Sequence, residues 1–280
     1  MPRRRLDALL RALGGPVRDR DRPLASAIIE TDPGATALDG LWQHMVQVWS
    51  ELGREEPFWS VLPEARYRTA ARPSARTLAR FHASGRAEVE RLESLLGRAG
   101  VTLGKRAVVA EYGCGVGRAT RWLAERFARV RAFDLSAPHL ARAEQHLERE
   151  GLGNVELVPL RRRQDLRLLH GFDLFFSRRV LQHNPPPLQR DILEHALAGL
   201  APRGVACFQT ITEAAGYAFR VADYARGGGR ATDRLELHVL PQAAIFALAR
   251  RQGLDVLAVH DDGPTERPGT RSNTFVMRKD

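Results

Sequence analysis

The sequence predicts an α/β domain built on a mostly parallel β-sheet and preceded by a helical segment. From residue 104 onward, short apolar runs alternate with helical patterns, and the first run ends in a glycine-rich loop. Such alternation is typical of parallel strands joined by right-handed crossovers. The last two runs follow one another without a helix, which predicts a terminal antiparallel pair. With 280 residues, 44% of them apolar, the chain can form a large core, so disorder throughout is excluded.

The segment before the sheet divides into an arm and a helical cap. Residues 1–35 are polar and interrupted by glycine and proline, so we expect a loosely ordered arm. Residues 36–103 form the cap, in which apolar residues recur at helical spacing over 36–53 and again over 74–99. An aromatic connector at 57–63 joins these two predicted helices.

The sheet domain spans residues 104–280 and contains seven predicted strands. The strands are predicted at 107–110, 129–134, 154–159, 172–177, 204–211, 254–260 and 273–278. The helices between them are predicted at 117–127, 138–150, 187–200 and 241–252. After the fifth strand, the stretch 213–240 is too long for a simple loop and includes three consecutive glycines, so it is predicted to be a lid insertion.

The strongest chemical signal is the run Glu-Tyr-Gly-Cys-Gly-Val-Gly-Arg at 111–118, where the first strand turns into the first helix of the sheet. Glycines at such a turn let a ligand approach the main chain, and a helix start offers free N–H groups. The spacing E-x-G-x-G-x-G differs from the dinucleotide fingerprint G-x-G-x-x-G, whose last position is Arg118 here. Asp134 ends the second strand, where a carboxylate can accept hydrogen bonds from ribose hydroxyls. The sequence therefore predicts a site for a nucleoside.

At these residues the chain resembles the class I S-adenosylmethionine-dependent methyltransferases, a Rossmann-like superfamily. The resemblance covers about 104–280 and includes the glycine loop, Asp134, the strand at 172–177 and the final hairpin. It also includes the turn at 200–204, although Arg203 replaces the first glycine of the usual Leu-x-Pro-Gly-Gly. The resemblance implies a seven-stranded Rossmann-like sheet, S-adenosyl-L-methionine as cofactor and S-adenosyl-L-homocysteine as product.

The resemblance also implies which residues surround the cofactor. The loop glycines would contact the methionine moiety, Asp134 would hold the ribose, and Glu111 would orient the loop or the ammonium group of the donor. The complete expected set is Glu111, Tyr112, Gly113, Cys114, Gly115, Gly117, Asp134, Leu135, Ser136, Arg162, Ser177 and Arg178.

The chain departs from the family at the adenine site. Many members place an acidic residue just after strand three, but this chain has three arginines at 161–163. Asp165 from a shifted turn, backbone groups, or a stacked arginine such as Arg162 would have to bind adenine instead.

The methyl acceptor is expected beyond the carboxyl ends of strands one, four and five. His183 follows strand four and is a candidate base, since its reference pKa lies near neutrality; the alternative is a helix-entry histidine bonded to backbone. His238, Tyr217 and Tyr224 lie in the predicted lid, as a second candidate base and as candidate substrate contacts, or else as packing of an auxiliary subdomain. Trp59 in the cap is a further candidate wall residue.

Three function classes remain open from the sequence. The favoured class is O-methylation of a small molecule, a saccharide or a natural-product intermediate, with N-methylation of an amine as the alternative. An RNA methyltransferase is suggested by the net charge of +10, but the arginines, 41 of the 43 basic residues, are spread along the chain. Asn184-Pro185-Pro186 continues with Pro187 where amino-methylating enzymes carry a stacking aromatic, so nucleic acid is disfavoured. A non-catalytic protein that keeps the nucleotide pocket is the third class.

Cellular context is predicted from composition and short motifs. Two cysteines are too few for a disulfide framework, and no apolar run is long enough to span a membrane, so we expect a cytoplasmic protein. The strings at 58–62 and 180–186 resemble a subgroup of bacterial methyltransferases that modify glycans or secondary metabolites. The acidic pair after His260 has no convincingly spaced companion ligand, so no metal is expected. The apolar cap helices would pair two subunits as readily as cover a pocket, which leaves a homodimer open.

Overall fold

A seven-stranded β-sheet runs through the centre of the protein, which confirms the predicted fold class. The computed structural model describes residues 28–227, 235–263 and 269–280. The strands are β1 (Val108–Tyr112), β2 (Arg129–Asp134), β3 (Val155–Pro159), β4 (Phe172–Ser177), β5 (Leu200–Ala214), β6 (Leu254–Gly263) and β7 (Thr270–Lys279). Their order is β3-β2-β1-β4-β5-β7-β6, in which β7 runs antiparallel to β5 and β6 and the other pairs are parallel. The carboxyl ends of β1, β2 and β4 therefore meet at one edge of the sheet, where the predicted site residues lie.

Helices cover both faces of this sheet, as buried parallel strands require. They are α4 (Thr120–Arg126), α5 (Ala137–Arg149), α6 (Pro186–Ala198) and α8 (Gln242–Arg251). On one face Phe133, Phe172 and Phe175 pack in a fully buried cluster with α6 and α8. On the other face Val109 and Leu174 pack with α4. Each such side chain contributes about 1.5–3 kcal/mol on burial, so the central strands are held firmly from both sides.

The cap helices extend both clusters. They are α1 (Ala35–Glu55), α2 (Ala75–Ala83) and α3 (Gly85–Arg98). Trp42 and Met45 of α1 join the cluster around Phe175, while Val89 and Leu92 of α3 join the cluster on the opposite face. The cap therefore straddles the sheet at the edge where the strands end.

The single helix predicted over 74–99 is wrong, since α2 and α3 are separate helices that meet at Ser84. The Ser84 hydroxyl donates a hydrogen bond of 2.6 Å to the Phe81 carbonyl, and the chain turns there. A Cβ on Gly85 would lie 1.8 Å from the Arg118 carbonyl oxygen, so only glycine permits this approach between cap and sheet domain. Periodicity alone does not reveal a break of this kind, because both helices keep an apolar face.

The segment after β5 begins later than predicted. Strand β5 continues to Ala214 because it pairs with the whole length of β7, so the first two residues of the predicted lid are strand. Helix α7 (Val221–Gly227) follows, and residues 228–234 of the lid lie outside the described residues. Ile29 of the predicted arm forms a bridge with Phe219 of the lid, while residues 1–27 also lie outside the described part.

Within the described residues, none of the helices has the length and apolar character needed to cross a bilayer.

Candidate cofactor and acceptor site

A cleft of about 890 Å³, including the space open to solvent, lies at the carboxyl edge of the sheet. Its floor is the glycine loop after β1, and its sides are the ends of β2 and β4. The cap supplies a further wall through Trp49, Ser60, Val61 and Glu88. None of these four was predicted as a site residue, because sequence periodicity does not show where α1 and α3 lie relative to the sheet.

The glycine loop is held by the end of β2. The backbone N–H groups of Gly113 and Cys114 donate hydrogen bonds of 2.8 and 3.1 Å to the Phe133 carbonyl. Gly113 has φ of 78°, and a Cβ there would lie 2.3 Å from a Val180 methyl group. Gly115 has φ of 55°, and a Cβ there would lie 2.8 Å from Val61. Both glycines are therefore required by left-handed backbone and by close packing at the cleft.

Asp134 organises the junction between the loop and β2. Its two carboxylate oxygens accept hydrogen bonds of 2.8 Å from the backbone N–H groups of Gly115 and Ser136. Each oxygen keeps a lone pair, so the carboxylate can still accept hydrogen bonds from a diol in the cleft. Leu135 lines the cleft beside it, while the Ser136 hydroxyl donates to the Trp49 carbonyl at 2.9 Å. Ser136 thus fastens the cap to the site.

Glu111 is a fully buried carboxyl group at the bottom of the cleft. It accepts a hydrogen bond of 2.6 Å from the Thr120 hydroxyl. Burial raises the pKa of Glu111 to about 7, and the nearby Asp134 charge adds to the increase. A cation bound next to Glu111 would favour its ionised form.

Two arginines and a glutamate form a charged cluster on the β4 side. Arg118 donates to one carboxylate oxygen of Glu88 at 3.3 Å, and Arg178 forms an ion pair with the other oxygen. Burial lowers the pKa of both arginines to about 10, so both remain charged at neutral pH. The cleft therefore offers separate cationic and anionic groups to a ligand that carries both charges.

Four buried polar atoms of cleft-lining residues have no hydrogen-bond partner within the described part of the chain: Asn184 Oδ1, Tyr112 Oη, Arg118 Nε and Arg178 Nε. The orientation of the Asn184 amide is fixed, because its Nδ2 donates to the Val180 carbonyl at 3.1 Å. A buried acceptor without a donor is costly, so a bound ligand is the natural partner for Asn184 Oδ1.

The remaining expected loop residues contribute structure at the edge of the cleft. Cys114 is a buried free thiol that lines the cleft, and burial raises its pKa. Gly117 has φ of 79° and starts the turn into α4. The Ser177 hydroxyl donates to the Tyr112 carbonyl at 3.1 Å and so joins β4 to β1.

His183 lies between the cleft and the lid. Its Nδ1 donates a hydrogen bond of 2.8 Å to the Glu236 carbonyl, which leaves the lone pair on Nε2. The ring packs edge-on against Trp49 at 5.6 Å between centroids. Burial lowers the pKa of His183 to about 4, so the ring is neutral and weakly basic at pH 7. His183 is thus bonded to the backbone through Nδ1, as the alternative interpretation of a helix-entry histidine expected.

The segment predicted to be a lid contains three of the predicted acceptor residues, and these share one hydrogen-bond network. In the neutral ring, His238 Nε2 donates to the Glu236 carboxylate at 3.1 Å, and His238 Nδ1 accepts from the Tyr217 hydroxyl at 2.9 Å. The Tyr224 hydroxyl donates to the same carboxylate at 2.8 Å. The hydrogen bond from His238 is the main reason that the pKa of Glu236 is lowered. The backbone N–H of His238 bonds the Gln182 carbonyl at 2.7 Å, which fixes this lid network against the turn that carries His183.

Several predicted site residues do not line the cleft, namely Trp59, Gly117, Ser136, Arg162, Ser177, His183, Tyr217, Tyr224 and His238. The Arg162 side chain is 71% exposed and pairs with Asp165, whose carboxylate also accepts the backbone N–H groups of 161 and 162. Trp59 is buried in a separate apolar cluster, with the Arg68 guanidinium 3.4 Å above its ring. His139, which the sequence argument missed, lines the cleft near Leu135 and bonds Ser60 at 2.9 Å. The helix-start position of His139 after Asp134 is the signal that could have found it.

Among the described residues, no group of three or more His, Cys, Asp or Glu side chains is arranged to hold a metal ion.

Comparisons with known proteins agree with this geometry. Residues 109–204 match the family of methyltransferase domains. The fold is similar to magnesium protoporphyrin IX methyltransferase from Synechocystis, solved with bound SAH, with 21% identity, a TM-score of 0.51, and coverage of 70% of this chain and 84% of that one. It is also similar to the N-methyltransferase NodS from Bradyrhizobium japonicum, solved with S-adenosylhomocysteine, with 18% identity, a TM-score of 0.51, and coverage of 85% and 98%. No curated protein has a sequence that matches this chain.

The family match lies over the strands and the glycine loop that build the cleft. Residues 109–204 therefore form a methyltransferase domain, and the sheet has the α/β fold of the class I S-adenosylmethionine-dependent methyltransferases.

Proposed function

We propose that the chain transfers the methyl group of S-adenosylmethionine to a hydroxyl group of a small molecule. The observation that carries this proposal is the lid network of Glu236, His238 and Tyr217 beside the turn after β4. An alcohol needs a base as it attacks a methyl group, and this network is built to accept a proton.

The charges of the cleft fit the parts of the donor. The ribose hydroxyls would donate to Asp134, whose oxygens are already held in place by two N–H groups. The amino-acid end of the donor carries an ammonium and a carboxylate. Glu111 and Glu88 suit the ammonium, while Arg118 and Arg178 suit the carboxylate. We propose these roles for the four residues together with the glycine loop.

The acceptor would lie on the β4 side of the cleft. Strands β2 and β4 flank β1, so Asp134 and Asn184 stand on opposite sides of the loop, roughly two strand spacings or about 10 Å apart. A ribose on Asp134 therefore leaves Asn184 Oδ1 for the acceptor. Asn184 Oδ1 would accept a hydrogen bond from the O–H or N–H group of the methyl acceptor. This bond would orient the lone pair of the attacking oxygen or nitrogen.

The lid network would then remove the proton. When bound, S-adenosylmethionine supplies a methyl group on a sulfonium, and the C–S bond breaks as the acceptor attacks in line. Tyr217 would take the hydroxyl proton while passing its own proton to His238 Nδ1. The Glu236 carboxylate would stabilise the resulting imidazolium through its existing hydrogen bond. The buried surroundings of His238 keep water away from this step.

N-methylation of an amine is the second candidate, and Asn184 favours it. An amide oxygen can hold an N–H without taking the proton, and a neutral amine needs no base to attack. The low pKa of His183 fits the same case, since a weak base there would not be used.

The test begins with release of S-adenosylhomocysteine from pools of hydroxylated and amine-bearing small molecules. Mass spectrometry of the product then gives the atom that is methylated. On an alcohol substrate we expect His238→Gln to lower kcat by about 10²-fold or more, with affinity for S-adenosylhomocysteine unchanged. His183→Gln should cost much less. The matched control is His170→Gln, an exposed histidine before β4.

Methylation of amines alone, or full turnover by His238→Gln, would contradict O-methylation by the lid network. Transfer to RNA rather than to any small molecule would contradict the substrate class. Binding of S-adenosylhomocysteine without any transfer would favour the non-catalytic alternative. A bacterial origin, a role in secondary metabolism, a cytoplasmic location, a homodimer and the absence of a metal stay predictions.

A further inference from the structure

A second depression, distinct from the cofactor cleft, lies at the opposite edge of the sheet. It encloses about 1150 Å³, including the space open to solvent. It is formed where β1, β4 and β5 begin and where the antiparallel β7 ends. The segment that leads from α3 into β1 supplies an apolar wall through Val101, Leu103 and Ala107. The depression is therefore a concave surface on ordered elements, away from the lid and from the glycine loop.

Three arginines line this depression: Arg106, Arg203 and Arg278. Most arginines near the cofactor cleft are paired with carboxylates, as Arg118 and Arg178 are with Glu88. By contrast, the structure shows no carboxylate or other acceptor bonded to any of these three guanidinium groups within residues 28–227, 235–263 and 269–280. The positive charge at this edge is thus left uncompensated.

The acidic residues nearby do not neutralise this charge. Asp173 is the one carboxylate among the lining residues, and its Oδ2 accepts the Val108 backbone N–H at 2.8 Å. Asp255 is the register partner of Arg278 on β6, but the two side chains form no ion pair. An anion in the depression would therefore meet more donors than acceptors.

The backbone conformation of Arg203 indicates that its side chain has a role in the depression. It lies in the irregular stretch between Phe172 and Leu174 on β4 and their partners on β5, and its φ is 63°. A non-glycine residue in the left-handed region costs free energy that glycine would avoid. No intramolecular contact of the Arg203 guanidinium offsets that cost in the described structure. A ligand that binds the guanidinium would offset it.

The spacing of the arginines suggests the ligand. Arg106 precedes β1, Arg203 is in β5 and Arg278 is in β7, so the three side chains start from strands that span three strand spacings, roughly 14 Å. A single phosphate reaches one or two such groups, whereas two linked phosphates reach all three. Guanidinium groups match phosphate oxygens with paired hydrogen bonds. We propose that this depression binds a small molecule that bears a diphosphate group.

The experiment measures binding of inorganic pyrophosphate by calorimetry at constant ionic strength. S-adenosylhomocysteine is present at saturation, so that the arginines of the cofactor cleft are occupied. We expect one pyrophosphate per chain, and a loss of affinity of about tenfold or more in each of Arg106→Gln, Arg203→Gly and Arg278→Gln. The charge-matched control is Arg86→Gln on α3, which removes an exposed arginine paired with Glu90 and should leave pyrophosphate affinity unchanged.

Arg203→Gly also controls for a loss of pyrophosphate affinity that is caused by misfolding. Because glycine adopts φ of 63° without strain, this variant should unfold at a higher temperature than the wild type when pyrophosphate is absent, and still bind it more weakly. Affinity for S-adenosylhomocysteine should not change in any of the three variants. Unchanged affinity for S-adenosylhomocysteine would show that the depression is a site separate from the cofactor cleft. The diphosphate proposal does not rest on the proposed function.

Three results would overturn the proposal. They are no saturable binding of pyrophosphate, equal binding by the three variants and the wild type, and arginine-dependent binding of an RNA oligonucleotide without any binding of pyrophosphate. The last result would assign the charged depression to nucleic acid instead.

Discussion

Asp134 is the single side chain on which the geometry of the cofactor cleft depends most. Its two oxygens accept backbone N–H groups from the glycine loop and from the start of α5 at 2.8 Å each. The carboxylate therefore fixes the loop and also faces the cleft. A change at this position affects the shape of the site and its affinity together.

We expect Asp134→Asn to lower affinity for S-adenosylhomocysteine by about 10- to 100-fold. The amide would direct its NH₂ group at one of two N–H donors and would lose charge-assisted hydrogen bonds of about 1.5–3 kcal/mol each. Calorimetry measures the change. Asp165→Asn is the control, because Asp165 also accepts two backbone N–H groups but lies outside the cleft lining. Equal losses in both variants would mean that the effect is structural.

Glu111 gives cofactor binding a pH dependence. Its pKa is raised to about 7, so in the unliganded protein it is protonated below that pH and ionised above it. If the donor's ammonium binds beside Glu111, affinity for S-adenosylhomocysteine should rise as pH increases from 6 to 8. In Glu111→Gln this rise should be absent, while binding at pH 6 should change little. A wild-type affinity that is flat over this range would remove Glu111 from contact with the ammonium.

At the scale of elements, helix α1 is the part of the cap that sets the wall of the cleft. Its last turns lie against the start of α5, where the Trp49 carbonyl accepts from Ser136. A Cβ on Gly53 would lie 2.7 Å from Ser136 Oγ and 2.9 Å from His139 Nδ1. The contact between α1 and α5 thus depends on the absence of one side chain.

Gly53→Ala should destabilise the protein by about 1–3 kcal/mol and weaken cofactor binding, because α1 would be pushed away from the cleft. Gly40→Ala in the same helix is the control. A Cβ on Gly40 meets nothing within 4 Å, so helix propensity should stabilise that variant by about 0.5–1 kcal/mol. Urea unfolding of both variants, with and without S-adenosylhomocysteine, checks the pair. An equal gain in both variants would show that α1 is not packed as described.

The sequence predicted most elements but not how they meet. The spacing of apolar residues and the length of each apolar run located the seven strands and the helices between them, because buried strands and amphipathic helices have distinct patterns. The break at Ser84, the longer β5 and the position of α1 could not be read in this way. Each depends on a contact with a distant part of the chain, such as that between Gly85 and the Arg118 carbonyl.

At the scale of the whole molecule, buried neutral histidines link stability to pH. The pKa of His82 is lowered to about 3 and that of His183 to about 4, in both cases chiefly by burial. The pKa values of His139 and His146 are also lowered, again mainly by burial. In the unfolded chain these side chains take up protons near pH 6.5. Protonation therefore favours the unfolded state as the solution becomes acidic.

We expect the free energy of unfolding to be highest above pH 6.5 and to fall steadily between pH 6.5 and 4. His183 contributes up to about 1.4 kcal/mol per pH unit over that window, because its pKa is lowered to about 4. Glu111 acts in the opposite direction, since its raised pKa makes the folded state more favourable as pH falls from 7. Urea titrations at pH 7.5, 6.0 and 5.0 measure the net slope. His82→Phe should reduce the slope, and a wild type with constant stability would contradict the burial of neutral histidines.

The fold class, the glycine loop and the carboxylate at the end of β2 could be predicted from the order of residues alone, because they follow from local patterns of burial and turn chemistry. The packing of the folded chain was needed to show that Glu88 and Trp49 face the cleft and that Arg162 and Trp59 do not line it. It was also needed to show that Tyr217 and His238 share one hydrogen-bond network with Glu236. A helix pattern predicts which residues are buried, but the residues they contact across an interface depend on packing between segments that are far apart in the chain.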